Sequence, residues 1–245
     1  MDRLTDDEET SDSTGDGDLI FNVCPDAFGM RVEPFGDPRM APAIELRSGG
    51  SFDLEQNTVG RMHIEMQDCH VFDGTWRVPE SAEPVRSRPR HGDWVSAAGD
   101  WVVDDGHDGW SELHEARALA VVHGVAPGLH YVALNVFFNK QSRQADRVHV
   151  DVRIPRSDPA LKHLSCERVD DRTSGCPLAP GVTFKRLDSA VDDGGGFCIV
   201  ELERGDAKAD PFACHPTEGC DGKRFRDVGC SRIAFAGLLR ARWTP

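Results

Sequence analysis

Five residues in the first half of the chain have types and spacings that suit metal chemistry. Glu112 and His114 stand two apart, so on a strand they share a face. His63 and Glu65 repeat that spacing on an earlier stretch, and His107 lies in the polar loop before Glu112. If those faces meet, imidazole and carboxylate donors converge on one point. That mixture suits a divalent transition metal such as Zn, Fe, Ni or Mn. An ion with an open position would activate water, which is the chemistry of a metal-dependent hydrolase. A plainer reading competes with it. Polar residues on the solvent face of a half-buried sheet follow from alternation alone, and ten histidines bring some close pairs by chance.

Two further sets have chemical use. Trp94, Trp101 and Trp110 lie close in sequence and could form a stacking platform for a sugar or a peptide. Tryptophans at such spacing also serve as core residues, because each buries a large area. Cys166, Cys176, Cys198, Cys214, Cys220 and Cys230 crowd the last third, with Cys24 and Cys69 earlier. An even number in a Gly/Pro-punctuated region reads as a set of disulfides of open connectivity. Zinc is the rival, but no C-x2-C pair occurs. Free buried thiols are the third reading.

Nucleophilic and phosphate chemistry find little support. The chain has no G-x-S-x-G, no P-loop and no H-E-x-x-H. Cys69 and His70 are neighbours, so on a strand they point to opposite faces and cannot pair directly.

The elements that must position these residues read as strands. Met62, Ile64 and Met66 alternate with His63 and Glu65. Residues 93–97 and 100–104 read as two short strands bent at Gly99, and 112–122 as another. Residues 79–90 hold Pro79, Pro84 and Pro89 and read as a long exposed loop. Pro127-Gly128 marks a turn and a domain boundary. Beyond it, Val132–Phe138 and Val148–Ile154 alternate cleanly and read as a β-hairpin. Val182–Leu187 and Phe197–Glu203 flank a glycine turn at 194–196. Residues 205–229 read as a cysteine-pinned loop, and Arg232–Trp243 suits strand or helix equally.

The segment from His91 carries Gly92-Asp93-Trp94-Val95, then Gly99, then a strand to Asp104. This resembles the closing strands of OB-fold barrels, where a "GDxVxxxG" turn leads to a strand ending in Asp. The resemblance implies a small Greek-key barrel over 19–125 with a face for oligonucleotides or sugars. The expected fold class is therefore all-β: an OB-like barrel at 19–125, then a β-sandwich-like, cysteine-rich unit at 126–245.

Charge narrows the partners. The formal net charge is −14, from 28 basic and 42 acidic residues. About half of it lies in residues 1–18, where Asp2, Asp6, Asp7, Glu8, Glu9, Asp12, Asp16 and Asp18 face Arg3. With so little apolar content, that segment reads as a disordered acidic leader. Nucleic-acid binding is disfavoured, because phosphate contacts need clustered basic residues. The nearest cluster is Arg86, Arg88 and Arg90. No run is long and apolar enough for a transmembrane helix. No signal-peptide pattern opens the chain, which read literally means cytoplasmic. An acidic Ser/Thr/Gly leader also suits a chain whose export segment has been removed, and the cysteines favour an extracytoplasmic or secreted protein. The functional expectation is a non-enzymatic binding module for a protein or carbohydrate ligand. The alternative is the metal-dependent hydrolase.

Overall fold

The computed structural model describes residues 2–4, 18–24, 62–67, 74–90, 93–104, 110–138, 146–169, 178, 181–193, 195–205 and 232–245. At 2–4, 18–24, 62, 63, 65, 67, 100–104, 110–112, 114, 115, 146, 232 and 233 the description is of the backbone. All regular elements described are strands, so the chain is all-β.

Five strands form a ring. They are β1 (Asp2–Leu4), β2 (Asp18–Cys24), β3 (Met62–Gln67), β6 (Trp94–Asp104) and β7 (Trp110–Ala126). β1 pairs antiparallel with β2 and β6, and β2 with β3. β3 then runs parallel to β7, and β7 pairs antiparallel with β6, which closes the circuit. Inside it sit Ile64, Met66, Val95, Ala116, Leu119, Val121 and Phe137. Alternation dictates this: the apolar positions of β3 fall on one face and its polar positions on the other. The 1–18 leader meets the ring at both ends, through Asp2–Leu4 and Asp18. A strand position is held by backbone hydrogen bonds, which need no apolar side chain. Residues 5–17 lie outside the described residues.

β6 corrects one expectation. It is a single strand rather than two bent at Gly99. Gly99 sits at a register shift opposite Ala116, and a Cβ there would come within 2.7 Å of the Ala116 Cα. The glycine permits a close backbone approach at a bulge, not a turn.

β7 outlasts the ring. Its later residues pair with β8 (Leu129–Phe138), which pairs with β13 (Arg232–Thr244), which pairs with β10 (His163–Arg168). The turn at Pro127-Gly128 is thus the turn of the β7–β8 hairpin, with Gly128 at φ 73°. Backbone pairing crosses the expected domain boundary there.

A second sheet, β11 (Val182–Asp192), β12 (Gly195–Arg204) and β9 (Asp146–Ile154), covers one face of this one. Val132, Leu134, Val136 and Phe138 of β8 pack with Val148, Val150, Val152 and Ile154 of β9 in one core. The expected 132–154 hairpin is therefore corrected: β8 and β9 lie in different sheets and meet face to face. Two apolar stripes can be buried by either arrangement, and sequence alternation does not distinguish them. Each buried aliphatic or aromatic side chain of this kind contributes about 1.5–3 kcal/mol. The glycine turn near 195 does join a hairpin, with Asp192 opposite Gly195. Arg232–Trp243, equally suited to helix, is a central strand between β8 and β10.

Residues 79–90 also differ from expectation. β4 (Thr75–Trp76) and β5 (Val85–Arg86) pair as a small hairpin. Trp76, Val78 and Val85 bury themselves against Leu129, Tyr131, Ala133 and Leu238 on the other face of the large sheet. The prolines punctuate the hairpin, while its few apolar residues dock it.

Candidate functional site

The ring brings four of the five expected metal-ligand positions side by side. In the β3–β7 pair, His63 stands opposite Glu112 and Ile64 opposite Leu113. The strands are parallel, so Glu65 and His114 follow two residues on in the same direction. These four positions occupy the face of the wall opposite Ile64 and Met66, which point into the barrel core. Register adds a position that sequence reasoning missed. Asp100 of β6 stands opposite His114, and Asn22 of β2 opposite His63. Asp100 was visible in the sequence, but its partner is set by the shift between Ala98 and Asp100. His107 lies outside the described residues. Among the residues whose side chains are described, which include none of these five positions, no group of three or more His, Cys, Asp or Glu could hold a metal ion.

The tryptophans divide. Trp94 is 36% exposed and pairs with Val122, whose side chain belongs to the sandwich core. Trp101 pairs with Leu113, which packs against the barrel core, so positions 94 and 101 fall on opposite faces. Trp110 opens β7 opposite Asp104. One continuous wall face therefore does not carry all three.

Of the six clustered cysteines, Cys166 and Cys198 form a disulfide with Cα atoms 5.7 Å apart. It joins β10 of the large sheet to β12 of the small one, across the sandwich. Cys176, Cys214, Cys220 and Cys230 lie outside the described residues.

A second polar cluster fastens the β4–β5 hairpin. Asp93 takes two hydrogen bonds from Arg86 Nη2, at 2.7 and 2.8 Å, and one from the Arg90 backbone N–H at 2.8 Å. The motif residue Asp93 thus neutralises Arg86, the first arginine of the 86–90 cluster. A phosphate would have to displace that bidentate pair. His123 Nε2 lies 2.8 Å from the Arg86 carbonyl oxygen. A carbonyl only accepts, so Nε2 carries the hydrogen. Nearby, Tyr131 donates from its hydroxyl to Glu80 at 2.8 Å, and Arg240 Nε donates to Glu167 at 2.6 Å. Burial, then the bond to Glu80, pushes the Tyr131 pKa up, and that hydrogen bond draws the Glu80 pKa down.

Burial lowers the pKa of His123 and of His130, against an opposing pull on His123 from the Arg86 carbonyl and Asp93. His130 is buried with no hydrogen-bond partner at Nδ1. Both imidazoles therefore resist protonation in the fold more than in the unfolded chain. The unfolded chain takes up protons below about pH 6.5. Stability is then full above that value and falls as pH drops towards the lower folded-state pKa values. The His123→Gln/His130→Gln variant is expected to lose less stability than the parent between neutral and mildly acidic pH. Urea midpoints at the two pH values check this. Parallel losses in both proteins would show that other groups set the acid limb.

No helix long and apolar enough to cross a membrane occurs among the described residues. Comparison with protein-family models, with curated proteins and with solved structures found no match.

Proposed function

We propose that this chain is a non-enzymatic binding module that works outside the cytoplasm on a carbohydrate or protein ligand. The disulfide across the sandwich supports the compartment, since such bonds persist where thiols are not kept reduced. An OB-like barrel draws support from the ring β1-β2-β3-β7-β6 with its one parallel pair, a ring that starts at Asp2–Leu4, ahead of the expected 19–125. Small barrels of that kind offer a ligand face. Function lives in the site rather than the fold, and here the carrying observation is Trp94, a large aromatic more than a third exposed on a barrel strand. An indole plate gives a sugar ring or an apolar side chain a surface to stack on. The acidic balance and the neutralised Arg86 turn the module away from nucleic acid.

The test is an array of immobilised oligosaccharides probed with the full chain and with Trp94→Ala. Binding that the substitution weakens by about tenfold or more, a loss of roughly 1.4 kcal/mol, supports the carbohydrate ligand. Binding that ignores Trp94 places the ligand elsewhere. An array with no binding removes carbohydrate and leaves protein as the ligand class.

One observation favours a second reading, a metal-dependent hydrolase. The parallel register puts His63 directly opposite Glu112, so the two strands bearing the His/Glu pairs are neighbours.

A further inference from the structure

The second reading gains a third strand from the register. β7 lies between β3 and β6 in the ring wall. On one side of β7, His63 is opposite Glu112; on the other, Asp100 is opposite His114. Neighbouring strands are about 4.8 Å apart, and residues two apart on one strand about 6.6 Å apart. His63, Glu65, Glu112, His114 and Asp100 therefore occupy one compact patch of wall. In-register residues on paired strands share a face, so all five positions lie opposite the face of Ile64, Met66 and Leu113.

The composition of this patch is informative. The neighbouring positions Val102, opposite Glu112, and Ile20, opposite Glu65, are apolar. Asn22, opposite His63, and the Asp18–Gln67 pair beyond Glu65 are polar, so the patch adjoins positions of both kinds. Here Glu112 has His63 beside it and His114 has Asp100, so donors of both kinds adjoin. Two imidazoles with carboxylates form a borderline N/O set, which suits zinc and its first-row neighbours rather than calcium.

We infer that the outer wall of the barrel holds a divalent transition-metal centre shared by three strands, with His63 and Glu65 from β3, Glu112 and His114 from β7, and Asp100 from β6. The inference rests on the metal reading above and deepens it. It replaces a two-strand site that depends on His107 with a site whose ligands all stand on strands. Strand positions hold ligand geometry more tightly than a loop does. Asn22 of β2 stands opposite His63 in the register.

The test uses the full chain, stripped with chelator and reloaded with Co²⁺, whose visible absorption reports the ligand set in place of silent Zn²⁺. One Co²⁺ per chain, displaced by Zn²⁺, is expected. His63→Ala and His114→Ala are each expected to abolish the signal with thermal unfolding unchanged. Asp100→Asn is expected to weaken Co²⁺ binding by at least about tenfold to a hundredfold, the loss that even outer partners of a metal ligand cause, and to shift the spectrum. Asp188→Asn, at an exposed carboxylate on β11, should change neither. If Asp100→Asn does not fold, Asp100→Glu serves instead, and a shifted spectrum is the expected result. Unchanged affinity and spectrum in the Asp100 variant, with loss in His63→Ala, overturns the three-strand centre and leaves the two-strand metal reading standing. A full chain that takes up no Co²⁺ overturns both.

Discussion

Replacing Trp243 with Ala is expected to lower the stability of the fold by about 3–5 kcal/mol, the range for deleting a large buried aromatic. The indole is 4% exposed and joins three elements. It stands on β13 opposite Leu164 of β10. Its Nε1–H donates to the Pro155 carbonyl at 3.0 Å, just past the end of β9. Its ring lies over Gly196 of β12 so closely that a Cβ at 196 would come within 2.7 Å of it. Truncation therefore opens a cavity between the two sheets and leaves a carbonyl without its donor. Trp243→Phe keeps an aromatic ring but loses the hydrogen bond, so it should cost distinctly less. Urea unfolding of the three proteins decides it. A loss below about 1 kcal/mol for the Ala variant would show that the sheets close over the site, and would remove the indole from its place as a main inter-sheet contact.

The second large effect belongs to the disulfide. Cys166 and Cys198 enclose a loop with a sequence separation of 32. Loop-closure entropy for that length gives about 3–4 kcal/mol of stabilisation, through restriction of the unfolded chain. The Cys166→Ser/Cys198→Ser double variant should lose about that much. Cys198 is fully buried, so its serine also brings a hydroxyl into the sandwich core, which adds to the loss. Cys198→Ala with Cys166→Ala separates the two contributions, since it introduces no polar atom. Dithiothreitol should lower the melting temperature of the parent and leave the double variants unmoved by this route. Equal melting of parent and Ala/Ala variant without reductant would sink the claim that this bond holds the sheets together. The bond and Trp243 act two rungs apart on β10 and β13, where Leu164 pairs with Trp243 and Cys166 with Ala241. Residues this close couple, so the two losses should not simply add.

The same neighbourhood explains why part of the molecule was legible beforehand and part was not. Alternation placed Ile64 and Met66 inside and His63 and Glu65 on the other face, because a strand has a period of two and one face was buried. Clean apolar stripes at 132–138 and 148–154 were correctly strands. Their relation is a face-to-face contact rather than the expected hairpin, because a stripe records that a face is buried and not what buries it. The β4–β5 hairpin was missed for a related reason. Its apolar residues are few and spaced by prolines, and they become core only once Tyr131 and Leu238 supply the surface they dock on.

The site divides in the same way. Sequence spacing alone established that His63 and Glu65 share a face and that Glu112 and His114 share another, because that follows from local backbone geometry. It also established the all-β class, the acidic balance and the candidate cysteines. Tertiary structure decided that His63 stands opposite Glu112 and that Asp100 stands opposite His114. It decided, too, that Cys198 pairs with Cys166. Each of these depends on which strands become neighbours and in what register. Neighbours are chosen by the burial of whole faces and by shifts such as the one at Gly99, which no window of sequence contains.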